Sequence, residues 1–171
     1  SSVAPTVALD HEPEHGGPRV FTVKPISQML ELRSYLSTIS SRATGPQMPE
    51  QRIVVVGGGP AAVEAAANLR RLLRSFSVEA DAKSGVDLIV GRTVLPGFPR
   101  RAERLIVRSL TRLGVRVRRE EYVRRITPEG VETRSGVEGA TVVLLATGVV
   151  PSRLFADSGL PVGPDGALAV N

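Results

Sequence analysis

Cysteine is absent from the 171 residues. That excludes a disulfide framework, a thiolate nucleophile, a redox dithiol and any Cys-based zinc site in this chain. Tryptophan is missing too and aromatics make up only 4 %, so the core must come from Val, Leu, Ile and Ala within the 42 % apolar content. Aliphatic cores of this kind suit an α/β domain with buried strands. Lysine is scarce: apart from Lys24 and Lys83, arginine carries the cationic side of a net charge of +5, a balance that suits an anionic partner. No apolar run approaches the roughly 18 residues of a spanning helix, so no membrane contact is expected from this segment. The start, SSVAPTVALDHEPEHGGPR, lacks the basic beginning and apolar centre of a signal peptide, and a cytoplasmic location is expected. The length allows one domain with a full core.

Residues 1–19 read as an irregular arm. His11 and His15 are four apart with Glu12 and Glu14 between them, a metal-binding spacing on a helix, but Pro13 and Gly16-Gly17-Pro18 argue against a helix and no metal is expected. Residues 20–50 form a lead-in: a short strand at 20–23, a helix on which Ile26, Met29, Leu32 or Arg33, Leu36 and Ile39 recur at helical spacing, then a linker from Ala43. Pro25 suits the first helical turn, where no amide bond is lost.

From residue 51 the character changes. IVVV at 53–56 is a β-branched run that fits a strand buried on both faces. Gly57-Gly58-Gly59 breaks it, and Pro60 opens a helix to about Arg74. A second buried strand is expected at 86–90, with Asp87 at its solvated entrance, then a loop holding Leu95-Pro96-Gly97-Phe98-Pro99. A helix over 100–113 should bury Ala102, Leu105, Ile106, Leu110 and Leu113, expose Arg101, Arg104, Arg108 and Arg112, and stop at Gly114. A third strand at 115–119, an antiparallel meander around Thr127-Pro128-Glu129-Gly130 and a last buried strand at 142–146 complete the pattern. The fold class is α/β: a Rossmann-like doubly wound parallel sheet with a small antiparallel β-meander insert.

Strand, glycine turn and helix in that order are the context that makes G-x-G-x-x-A a phosphate-binding hypothesis. Gly57 permits the sharp turn, Gly59 leaves room for a pyrophosphate, and Ala62 fills the small third position. Gly58, Pro60 and Ala61 complete the turn, whose amides face the ligand from the positive end of the helix dipole. Rossmann logic also expects an acid about 20 residues on, at the end of the second strand, to bind ribose hydroxyls. Val90-Gly91-Arg92 stands there instead. An arginine could pair with a 2′-phosphate, which leans the reading toward NADPH and leaves NADH open.

Several stretches together resemble the NAD(P)H-binding domain of the FAD-dependent pyridine nucleotide-disulfide oxidoreductases: IVVVGGGPAAVEAAANL, VDLIVGRTVLPGF, RAERLIVRSLTRLGVRVR and VVLLATGVVPSRLFADSGLPVGPDGALAVN. Upstream, VFTVKPISQMLELRSYL is similar to the lead-in of type II NADH dehydrogenase-like flavoproteins and of those fused to selenide, water dikinases. The resemblance covers about residues 20–171 and implies a dinucleotide-binding domain at 51–150. The tail at 151–171 would lead to the second half of an FAD domain, both halves of which lie outside this segment. It implies a nucleotide turn at Gly57, Gly59 and Ala62, an acid on the nicotinamide side at Glu64, and a crevice-closing Ala146-Thr147-Gly148. Glu64 could equally serve the helix dipole. The implied cofactors are NAD(P)H here and FAD in the parent protein, which the resemblance leaves free to be peripheral to a membrane. The isolated domain is expected to be monomeric, to bind nucleotide weakly and not to turn over.

The competing reading is a basic nucleic-acid-binding or interaction module on a Rossmann-like fold. Residues 100–125 hold ten arginines against three acids but only Tyr122 for stacking, so nucleic acid is not the expected partner. FAD or S-adenosylmethionine as the ligand of the turn is disfavoured by the missing ribose acid and by the Ala-Thr-Gly ending.

Overall fold

A computed structural model describes residues 8–9, 16–42, 50–76, 81–148, 154–163 and 167–169. The expected arm histidines and the linker after the first helix lie outside the described residues. The central sheet has five parallel strands in the order β2 (Arg19–Thr22), β9 (Val142–Leu145), β3 (Gln51–Val56), β4 (Ser84–Ile89) and β5 (Val115–Arg118). The stretch read as a lead-in therefore supplies an edge strand of the same sheet, with Phe21 opposite Leu144. Chain order doubles back around β3, which leaves β9 and β4 as its neighbours.

Alternation along β3 builds two cores. Ile53 and Val55 face α1 (Ile26–Arg42), α2 (Pro60–Phe76) and α3 (Arg100–Leu113), where Leu32, Leu36, Ala66, Leu73 and Leu110 are buried. Val54 and Val56 face the opposite way, toward Val123, Ile126 and Val131. A strand sandwiched between two layers has no reason to alternate in polarity, which explains the unbroken IVVV run. The layer on this second face is the small sheet formed by β6 (Arg125–Thr127), β7 (Gly130–Thr133) and β8 (Gly136–Gly139), antiparallel as expected. The arm adds β1 (Ala8–Leu9), which pairs parallel with β6. A short helix, α4 (Leu154–Asp157), follows β9.

Two expectations need correction. Asp87 is not a solvated strand entrance: it is 1 % exposed and takes a two-pronged contact from its register partner Arg116, at 2.6 and 2.7 Å. That contact raises the Arg116 pKa further above its already high value, chiefly through the hydrogen bond to Asp87. On α3, Leu105 is 68 % exposed rather than buried, because the helix turns Leu110 and the partly buried Ile106 and Val107 toward the sheet. Gly114 ends α3 in the left-handed region, φ 90°, as its position predicts.

Candidate functional site

All five parallel strands end at one edge, and a cavity of about 980 Å³ runs along it. That size is at the upper end of small-molecule and cofactor sites. Its floor is the turn from β3 into α2, with Gly57, Gly58, Gly59, Pro60 and Ala61 all on the wall.

The glycines differ in what they make possible. At Gly57, φ 144°, a β-carbon would collide with the Ala146 carbonyl oxygen of the neighbouring strand. At Gly58 it would lie 2.7 Å from the Thr93 carbonyl oxygen, so the loop after β4 can pack on the turn only without a side chain there. At Gly59 it would meet nothing within 4 Å. Gly59 therefore borders open space. The Ala62 and Val63 amides bond back to the Gly59 carbonyl, at 3.1 and 3.2 Å, whereas the amides of Gly59 and Ala61 have no protein acceptor among the described residues. Unpaired amides at the start of a helix, beside a bare backbone, make an anion site.

Ala62 is fully buried under the turn, where its small side chain lets α2 approach β3; it packs the site rather than lining it. Glu64 does not join the site. It is exposed, lies off the cavity wall, and as the fifth residue of a helix that begins at Pro60 it lies past the first turn. The dipole role expected of it fades at that distance.

Around the turn, Ala146, Thr147 and Gly148 line one side of the cavity and Gly91 and Arg92 the other. The sequence did not reveal what each flanking strand adds. Thr22, Val23 and Lys24 arrive from β2, and Glu121, Tyr122 and Val123 from the loop after β5. The Glu120 amide bonds to the Gly91 carbonyl at 2.6 Å, and the Glu121 amide to that of Val90 at 3.2 Å. Glu120 has φ 61° and Leu95 φ 55°. Both are unusual for residues with a side chain, and both fix cavity loops, Leu95 through its amide to the Gly58 carbonyl at 2.7 Å.

Glu121 is a carboxylate with local partners. Its Oε1 accepts from Ser135 Oγ at 2.5 Å and faces Arg118 at 3.4 Å. The Ser135 hydroxyl is the main reason its pKa falls below the usual carboxylate range. Arg118 also pairs with Glu138, whose hydrogen bond is the main cause of a raised Arg118 pKa. Among the described residues no cluster of His, Asp and Glu could hold a metal, and no helix is long and apolar enough to cross a membrane.

A parallel sheet with a bare glycine turn on a cavity can hold a dinucleotide, and the family comparison agrees with that architecture. The model of the pyridine nucleotide-disulphide oxidoreductase family matches residues 16–171. The chain belongs to that family. No curated protein matches its sequence. Among solved structures, reduced CoADR-RHD of Bacillus anthracis is 20 % identical with a TM-score of 0.68, over 97 % of this chain and 27 % of that one. NDH2 of Plasmodium falciparum, in complex with NADH, is 19 % identical with a TM-score of 0.71, over 84 % and 33 %. The water-forming NADH oxidase of Lactobacillus brevis, bound to NADH, is 18 % identical with a TM-score of 0.69, over 96 % and 32 %. The family member described here thus spans no more than about a third of these three chains, and shares their fold.

Proposed function

We propose that this chain is the nicotinamide dinucleotide-binding domain of an FAD-dependent oxidoreductase and positions NAD(P)H for hydride transfer to the flavin. Residues 51–150 carry the binding domain, with β2 of the lead-in completing its sheet, and residues 151–171 lead toward the second half of an FAD domain. The observation that carries the reading is the open backbone at Gly59, with the unpaired Gly59 and Ala61 amides on the cavity floor. Two relatives of the same fold are described with NADH bound, which supports the same ligand class here.

The pyrophosphate would lie over Gly59 and Ala61, with Gly57 and Ala62 fixing the turn beneath it. Sheet order supports one direction for the bound molecule. The adenosine belongs at the end of β4, beside Gly91 and Arg92. The nicotinamide then lies across the end of β9, where Ala146, Thr147 and Gly148 border the cavity, with Lys24, two residues past β2, beyond them. The residues supply position and charge, and the cofactors supply the redox chemistry.

Titration calorimetry with NADH and NADPH tests this. The chain should bind at least one of them, and Gly59→Ala should weaken it about tenfold or more by blocking the backbone approach. Because that β-carbon enters open space, the variant should keep its unfolding midpoint. Absence of binding by both nucleotides would refute the proposal.

A further inference from the structure

A second cavity, of about 580 Å³, lies at the opposite edge of the sheet, where the parallel strands begin. Its wall carries Arg52, Lys83 and Arg116 against a single acid, Glu50. Arg52 near the start of β3 and Gly57 just past its end are roughly 17 Å apart at the ordinary strand rise, so this cavity is separate from the glycine turn. Gly85 also lines it, and neither conformation nor packing accounts for a glycine there. It is the second residue of β4, in register with Arg52, and its φ is outside the left-handed region. A β-carbon would meet nothing within 4 Å. Glycine inside a strand is less stable than alanine, and one that no turn or neighbour requires marks a place where a ligand approaches the backbone. Gly59 borders the same kind of open space at the other edge.

Two arginines flank the bare position from the strands on either side of β4. Arg52 is the register partner of Gly85, and Arg116 that of Asp87, two residues further on, so all four share one face of the sheet. Each guanidinium is held by a carboxylate: Arg52 Nη2 by Glu50 at 3.2 Å, and Arg116 Nε and Nη2 by Asp87 at 2.6 and 2.7 Å. A guanidinium has five N–H donors, so each stays oriented and keeps donors for a ligand. Arg116 Nη1 has no acceptor among the described residues. Helices α2 and α3 also end at this edge, and helix C-termini disfavour an anion. Arg70 and Arg74, which share Asp81, counter that charge: a β-carbon at Gly114, the cap of α3, would lie 3.0 Å from Arg70 Nε and 3.4 Å from Arg74 Nη2.

We propose that this cavity is a second anion site, independent of the nucleotide cavity, and that it holds a phosphate group over Gly85 between Arg52 and Arg116. Paired guanidinium groups suit a dianion, and their planar donors make charge-assisted, two-pronged bonds to phosphate. The group is either free phosphate or the end of a phosphate ester, since the chemistry on the wall is the same for both.

The test is an NMR titration of the 171-residue chain with inorganic phosphate and with glycerol 3-phosphate, at constant ionic strength against chloride. The amides of Gly85 and Val86 should shift with both probes, and the tighter probe identifies the source of the group. Gly85→Ala should weaken binding about tenfold or more, and Arg52→Gln several-fold. Because the added methyl enters open space and replaces a strand glycine, Gly85→Ala should keep or raise the melting temperature, which separates lost binding from lost folding. Arg116 is left intact, since its removal would strand the buried Asp87 charge. Gly59→Ala, at the other edge, should leave phosphate affinity at Gly85 within about twofold. Binding that survives Gly85→Ala, or shifts confined to residues 57–61 and abolished by Gly59→Ala, would overturn the proposal. So would the absence of any shift at Gly85 and Val86. Failure of NADH and NADPH to bind would refute the dinucleotide reading and leave this one standing.

Discussion

Gly57 and Gly59 stand two residues apart and lack side chains for different reasons. Gly57 holds a φ of 144° and lies against the Ala146 carbonyl, so Gly57→Ala adds both backbone strain and a backbone collision. The expected loss is about 2–3 kcal/mol in urea unfolding, against almost none for Gly59→Ala, whose effect falls on ligand affinity. Glu121 should make a pH-dependent contribution to stability. Its pKa is lower in the folded chain than the ordinary carboxylate value, so its stabilising effect is complete above that value and disappears as pH falls through the lowered one. Glu121→Gln should therefore lower the melting temperature at neutral pH and flatten its decline in acid, read from melting curves across pH. At this scale the sequence revealed what the local backbone dictates: the turn at Gly57–Pro60 and the packing role of Ala62. It did not reveal Lys24, Glu121 or Tyr122, which reach the cavity through neighbours in space. Nor did it reveal that Asp87 is buried, because its partner Arg116 depends on the register of a strand 29 residues away.

Helix α3 shows what hydrophobic spacing can and cannot decide about an element. Its apolar stripe predicted a helix on the sheet and its stop at Gly114, both of which the structure contains. Spacing gives a helix its face but not the tilt at which that face meets the sheet, and the difference falls on Leu105, which is exposed, while Leu110 is 3 % exposed. Leu110→Ala should cost roughly 3 kcal/mol by leaving a cavity between α3 and the core. Leu105→Ala should stay within about 0.5 kcal/mol in the same urea unfolding measurement. Strand order was the other quantity out of reach. Three buried runs and a strand at 115–119 announce a parallel sheet, but only the pairing of β2 with β9 shows that the early strand belongs to it and delivers Thr22, Val23 and Lys24 to the cavity.

At the scale of the whole molecule, the cavity has a floor, two side walls and an exposed approach. The Gly59 and Ala61 amides have no acceptor among the described residues, Arg92 lines the wall, and Glu121 Oε1 is taken by Ser135 and Arg118. If the chain is a nucleotide domain, the acceptor has to be held against the nicotinamide by further structure, and the fold relatives are about three times as long as this chain. Orientation of donor and acceptor is worth many orders of magnitude in rate, and a flavin free in solution gains none of it. Nicotinamide absorbance followed with NADPH, the chain and added FAD should therefore decline no faster than with NADPH and FAD alone. A faster decline that Gly59→Ala abolishes would show that this cavity also places a flavin, and that the division of labour between this domain and its parent is different from the one proposed.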